Sequence, residues 1–166
     1  ALPIFKYMPE LSYTNGVLQF EDNKSVVAGN DVVSTGRDPI LMRIYRKKLF
    51  DESEKIYNRL LCYACKMPWK GLVASHIKPL SACIRQQRMT EAYDKNNGLL
   101  LSPNVDAYFD KFDISFDDDG NIILGKNVQD EIKEVIKDYK LDAMVMNNER
   151  KKYMKYHRQI FEEKNM

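Results

Sequence analysis

Ala74-Ser75-His76-Ile77-Lys78-Pro79, then Asn97-Gly98-Leu99-Leu100-Leu101-Ser102-Pro103, then Asp106-Ala107-Tyr108-Phe109-Asp110: these three stretches decide the reading of this 166-residue chain. Gly71-Leu72-Val73-Ala74 predicts a short buried strand running into His76. Asn97 follows 21 positions after His76, and Asp106 a further 9. Asn104 to Phe112 predicts a helix, and residues four apart on a helix share a face, so Asp106 and Asp110 offer two carboxylates together. An imidazole titrates near neutrality and is suited to take a proton from water. Carboxylate oxygens on one face, completed by water and phosphate oxygens, suit Mg²⁺ or Mn²⁺. Asn97 can bond the backbone across the site and hold the histidine's loop, although Asn-Gly alone is an ordinary turn signal. The chain has only 2 histidines, and one falls inside this pattern.

Composition sets the frame for that reading. The chain is 44% apolar and 11% aromatic, enough for one domain or a compact core with an appendage. No apolar run is long enough to cross a bilayer, so a membrane partner is not expected. Three cysteines, Cys62, Cys65 and Cys83, are a poor basis for a disulfide framework and fit a reducing, cytoplasmic setting. The net charge of +2 is uninformative, but its distribution is not: residues 41–90 carry 11 Lys/Arg against 3 Asp/Glu, and residues 91–140 carry 6 against 12. Such a split arises from solvated faces of a self-complementary fold, or from a phosphate-facing surface beside cation-holding carboxylates. The motif favours the second.

Elsewhere, Val17 to Glu21 after Asn15-Gly16, and the pairs Val26-Val27 and Val32-Val33 around Gly29-Asn30, predict a small hairpin or edge sheet in residues 1–40. Asp38-Pro39 is a helix start. Leu41, Ile44, Tyr45, Lys48 and Leu49 continue it, and a second helical run is expected over Ser53 to Leu61. Arg43, Arg46, Lys47, Lys48, Lys55 and Arg59 decorate these helices. Residues 80–96 read as a polar loop with a helical turn. Ile114-Ser115-Phe116 and Ile122-Ile123-Leu124 predict a hairpin around the acidic turn Asp117 to Asn121. Two amphipathic helices follow, one marked by Val128, Ile132, Val135, Ile136 and Tyr139, the other by Tyr153, Tyr156, Ile160 and Phe161.

Together the quoted motifs make residues 41–165 resemble the HNH endonucleases, whose members carry a His-Ile-Lys-Pro strand end, an Asn-Gly-Leu-Leu-Leu-Ser-Pro segment, an Asp…Phe-Asp helix and an Ile-Ser-Phe-Asp-Asp-Asp-Gly hairpin. Tyr156-His157-Arg158 resembles the Tyr-His-Arg of the family's C-terminal helix. The resemblance implies an α+β fold, a ββα-metal nuclease core with flanking helices, in a domain of residues 41–166. Residues 1–40 are then an extension concerned with specificity or a subunit contact. It further implies His76 as general base, Asn97 as organiser and Asp106 as metal ligand, with Asp110 assisting. The expected substrate is double-stranded DNA, cut by a one-metal hydrolysis of the phosphodiester, in the manner of a restriction or anti-phage nuclease. Lys78, Arg85 and Arg88 are candidates for DNA-backbone contacts, and a homodimer would allow both strands to be cut. The rival expectations are a nicking, homing or repair nuclease domain, and a catalytically silent DNA-binding module.

Two departures from the family pattern bear on the chemistry. Ser75 stands where many HNH enzymes place a carboxylate or histidine ligand, which favours the silent module and shifts cation binding onto Asp106 and Asp110. His157 is a candidate to line the site, with a packed core histidine as the alternative. Cys62-Tyr63-Ala64-Cys65 is half of a zinc knuckle without a second half before Asp106, so structural zinc is not expected.

Overall fold

In a computed structural model that describes residues 11–14, 17–20 and 38–166, the chain divides into two units after Gly36. In the first unit, β1 (Leu11–Thr14) pairs antiparallel with β2 (Val17–Phe20), placing Leu11 opposite Phe20 and Thr14 opposite Val17. This is the hairpin expected around Asn15-Gly16. The valine pairs at 26–27 and 32–33 lie outside the described residues.

The second unit opens with α1 (Pro39–Tyr57). The Asp38 carboxylate accepts from the N–H groups of Ile40 (2.9 Å) and Leu41 (3.1 Å), satisfying donors that a helix start leaves open. Two helical runs were expected here, and one continuous helix is found. No glycine or proline interrupts residues 40–57. The helix stops at Asn58, in the left-handed region at φ 55°, so Leu60 and Leu61 fall outside it. Ser53, buried near the end of α1, ties down the return: its hydroxyl donates to the Arg59 carbonyl and accepts from the Leu61 N–H, both at 3.0 Å.

β3 (Val73–His76) pairs antiparallel with β4 (Gly98–Leu101), Val73 opposite Leu101 and His76 opposite Gly98. Between them run α2 (Leu80–Arg85), α3 (Met89–Ala92) and a 3₁₀ turn at Lys95–Asn97, more helix than the sequence suggested. α4 (Pro103–Phe109) follows β4 after one residue, Ser102, whose hydroxyl faces the Val105 N–H at 3.5 Å. Strand, strand and helix form the expected ββα unit within an α+β fold. Leu99, Leu100 and Leu101 are all buried, as are Tyr45 and Leu49 of α1.

β5 (Ile114–Phe116) and β6 (Ile122–Leu124) form the second hairpin, and Asp117 closes its turn by accepting from the N–H groups of Asp119 and Asn121. α5 (Asp130–Ile136) and α6 (Asn148–Asn165) complete the unit. α6 carries Arg150, which has no solvent exposure. It pairs with Glu52 of α1 at 2.8 Å and donates to the carbonyls of Val145 and Lys95.

His157, expected as a possible lining residue, is instead part of the core. It is fully buried, stacked on Phe109 with ring centroids 4.0 Å apart. Its Nε2 lies 3.0 Å from the Phe109 carbonyl and its Nδ1 3.0 Å from the Ser115 hydroxyl. The carbonyl can only accept, so Nε2 bears the proton and Nδ1 accepts from Ser115. Both bonds suit the neutral ring, and burial lowers the pKa from 6.5 to about 4.

Two predictions follow from this packing. A base with a depressed folded pKa contributes stability that is fully present above pH 6.5 and is lost as pH falls toward 4. Urea unfolding should therefore show stability falling by about 3 kcal/mol across that window, a fall that His157→Gln largely removes. At Gly98, an added Cβ would sit 2.9 Å from Leu49 Cδ1 and closer still to the Tyr45 hydroxyl. Gly98→Ala should cost about 1–3 kcal/mol in the same assay, and an unchanged midpoint would show that α1 yields at no cost.

Candidate active site

His76 ends β3, where the strand gives way to the excursion that returns at Asn97. Its ring stacks on Tyr45, with centroids 4.6 Å apart and planes 12° from parallel. Nε2 lies 2.8 Å from the Ala92 carbonyl, an acceptor, so this nitrogen carries the proton and the lone pair of the neutral ring is on Nδ1. Tyr45 also braces the chain below: its hydroxyl is shared between the carbonyls of Asn97 (3.1 Å) and Ser75 (3.3 Å). Burial pushes that hydroxyl far above its ordinary range, so it stays a donor.

Asn97 is completely buried and uses both ends of its carboxamide on one residue. Oδ1 accepts from the Lys78 N–H at 2.7 Å, while Nδ2 donates to the Lys78 carbonyl at 3.1 Å and the Glu91 carbonyl at 2.9 Å. The Ile77 N–H donates to the Asn97 carbonyl at 3.1 Å. The segment after His76 is thereby tied to the start of β4.

Asp106, on α4, is half-buried, and Asp110, which caps the C-terminal end of that helix, is exposed. Burial is the main cause that raises the Asp106 pKa, and the Asp110 charge adds to it; the Ser75 hydroxyl and His76 act in the opposite direction. Asp106 is thus within electrostatic reach of His76, Ser75 and Asp110. Ser75 Oγ, though near that carboxylate, is buried without a partner at hydrogen-bonding geometry among the described residues.

The donor set can be compared with what a cation needs. Among the described residues, no three His, Cys, Asp or Glu side chains converge on one point. Two neighbouring carboxylates and an unsatisfied hydroxyl fit a hard divalent ion that keeps most of its waters, whose charge would also relieve the repulsion at Asp106. They do not fit a closed four-ligand zinc site. Cys62 is buried, with its thiol pushed up by burial, and Cys65 is half-buried; both are free thiols.

Lys78 corrects an expectation. Rather than facing phosphate it is buried, paired with Glu91 at 2.5 Å and bonded to Gln86 at 2.6 Å. A buried ammonium needs a counter-charge in place, and Glu91, held well below the usual carboxylate range chiefly by Lys78, supplies it. Arg88 also contacts Glu91, at 3.0 Å, but remains exposed. Arg85 is exposed and makes no ion pair among the described residues.

Tyr45 and Glu91 were not singled out from the sequence. Tyr45 reads only as one apolar position in a helix, and Glu91 lies 13 residues from the lysine it neutralises. Cavities of about 570 and 530 Å³ lie elsewhere: neither is lined by His76, Asp106 or Asp110.

Truncating Asn97 to alanine would leave the Lys78 N–H and two carbonyls without their partner. The expected loss is about 3 kcal/mol of stability, with faster amide exchange at Lys78, readable by urea titration and hydrogen exchange. Wild-type exchange at that amide would contradict the closure described here.

Residues 62–117, about a third of the chain, match the family model described as HNH endonuclease. No curated protein matches the chain. The matched stretch runs from the Cys62-Tyr63-Ala64-Cys65 segment through β3, β4 and α4 to the end of β5, and over that stretch the chain is similar to the HNH endonucleases.

Proposed function

We propose that this protein is a metal-dependent DNA endonuclease that hydrolyses phosphodiester bonds at His76 and Asp106. The observation that carries the reading is the tautomer at His76: with Nε2 held by the Ala92 carbonyl, the ring's basic nitrogen is Nδ1. His76 then takes a proton from the water that attacks phosphorus in line, leaving 5′-phosphate and 3′-hydroxyl ends. The Tyr45 stack fixes the plane of the ring, and Asn97 holds the loop that follows it. Asp106, helped by Asp110, would hold a single Mg²⁺ or Mn²⁺. When bound, such an ion supplies positive charge against the phosphate and the leaving 3′ oxygen.

The basic side of the molecule serves to bring in the DNA. Arg85, Arg43, Lys48 and Lys55 are exposed and make no ion pair among the described residues, so they are available for backbone phosphates. Arg88 shares its charge with Glu91 and contributes less. A restriction or anti-phage role, with two copies cutting the two strands, is the biological setting we favour on the resemblance of the motifs.

Plasmid incubated with Mg²⁺ tests the proposal. Discrete linear fragments are expected. EDTA should stop cutting, and His76→Ala should lower it by at least about 100-fold while circular dichroism stays unchanged. Nicked circles would make the protein a nickase. Binding without breaks would make it a silent module, the outcome Ser75 favours, and undiminished cutting by His76→Ala would remove the imidazole from its role.

A further inference from the structure

Pro68, Trp69, Lys70 and Gly71 lead the chain into β3, and they border a cavity of about 530 Å³ closed on the other side by Arg46, Phe50 and Arg59. Three cations line it and no carboxylate does. The lining therefore carries one sign of charge. Arg46 is preset: its guanidinium lies over the Phe50 ring, 5.0 Å from the centroid, and one N–H bonds the Leu72 carbonyl at 3.2 Å. Of the five donors of its guanidinium, this is the one with a hydrogen bond among the described residues. Arg59 and Lys70 are exposed, and neither side chain has an ion pair or hydrogen bond among the described residues. Trp69 stands beside these cations with 54% of its surface exposed, against the usual tendency of so large an aromatic side chain.

We propose that this cavity is a nucleic-acid subsite, resting on the nuclease reading above: Arg46, Arg59 and Lys70 take a backbone phosphate, and an unpaired base of the same strand stacks on Trp69. Cations supply the sequence-independent attraction, and an open indole supplies a π-face that any base can use once it leaves its duplex. The two halves need each other. Phosphate binding alone would leave the apolar indole in water, and an indole alone would not select a polyanion. β3 carries the chain from Leu72 to His76 in four residues, roughly 13 Å, so a strand anchored here runs within about four nucleotide steps of the proposed base. The substrate class that fits is DNA with an unpaired stretch near the cut, such as a flap, bubble or single-stranded end.

Trp69 is the only tryptophan, so indole emission reports on this residue, which borders both this cavity and the one of about 570 Å³; the Arg59 and Lys70 variants tell the two apart. The protein is titrated in EDTA, where no cutting competes, with an oligothymidylate of about 12 nucleotides and with a blunt duplex of the same length. Saturable quenching by the oligothymidylate, weak quenching by the duplex and loss of affinity as salt rises are expected. The double variant Arg59→Glu, Lys70→Glu should weaken oligothymidylate binding about tenfold or more. Trp69→Ala, followed by anisotropy of a labelled oligomer, should weaken it about five- to a hundredfold. Indole emission indifferent to the oligothymidylate overturns the subsite, as does equal quenching by blunt duplex. Cleavage assayed on the same protein keeps the two readings apart. Cutting of plasmid or of a flapped duplex with an unresponsive indole overturns the subsite alone; a responsive indole with neither substrate cut supports the subsite and overturns the nuclease reading.

Discussion

A guanidinium without solvent cannot stand alone: an unpaired buried charge costs about 3–5 kcal/mol, so Arg150 dictates its surroundings. Glu52 of α1 neutralises it, and the Tyr63 hydroxyl donates to the same carboxylate at 2.9 Å. The carbonyls of Val145 and Lys95 take further donors. One side chain of α6 thereby sets the distance to α1 and fixes the 3₁₀ turn that ends in Asn97. Any loosening of this pair would be felt at Asn97, two residues beyond the Lys95 carbonyl that Arg150 holds.

From that anchor the site is assembled by packing more than by charge. Tyr45 fills the space under His76 because Gly98 opposite has no Cβ, and its hydroxyl meets the carbonyls of Ser75 in β3 and of Asn97 just before β4. The imidazole is held by an aromatic face and by the Ala92 carbonyl, which limit its rotation. The acidic groups come from a different element, α4, whose four-residue spacing puts Asp106 and Asp110 one turn apart. Hydrophobic contacts orient the imidazole, while the half-buried Asp106 and the exposed Asp110 repel one another.

Much of this was legible because it depends on local periodicity. The strand before His76, the Asn-Gly-Leu-Leu-Leu strand, the carboxylates on one helix face and the hairpin around Asp117 all follow from residue spacing. The continuity of α1 was not legible, since the polar residues Asp51 to Glu54 resemble a break unless it is known that Ser53 turns inward to bind the chain beyond the helix. Lys78 misled for a related reason, and for His157 the choice between lining the site and packing in the core, which is what it does, could not be made from spacing. Residue type advertises charge or catalysis, but burial decides, and the partners that make burial tolerable, Glu91 and Ser115, are distant along the chain. Arg150 is one of 26 Lys/Arg and carries no local mark of its position.

The double attachment of Asn97 to Lys78 has an evolutionary consequence. Both ends of the excursion are gathered by a single carboxamide at its base, so the outer tip, residues 84–90, contributes little to closure: apart from Ile84 it is exposed. Doubling the length of such a loop adds only about 0.6 kcal/mol of entropic cost. The tip is therefore a natural site for insertions, which would leave the closure at Asn97 unchanged.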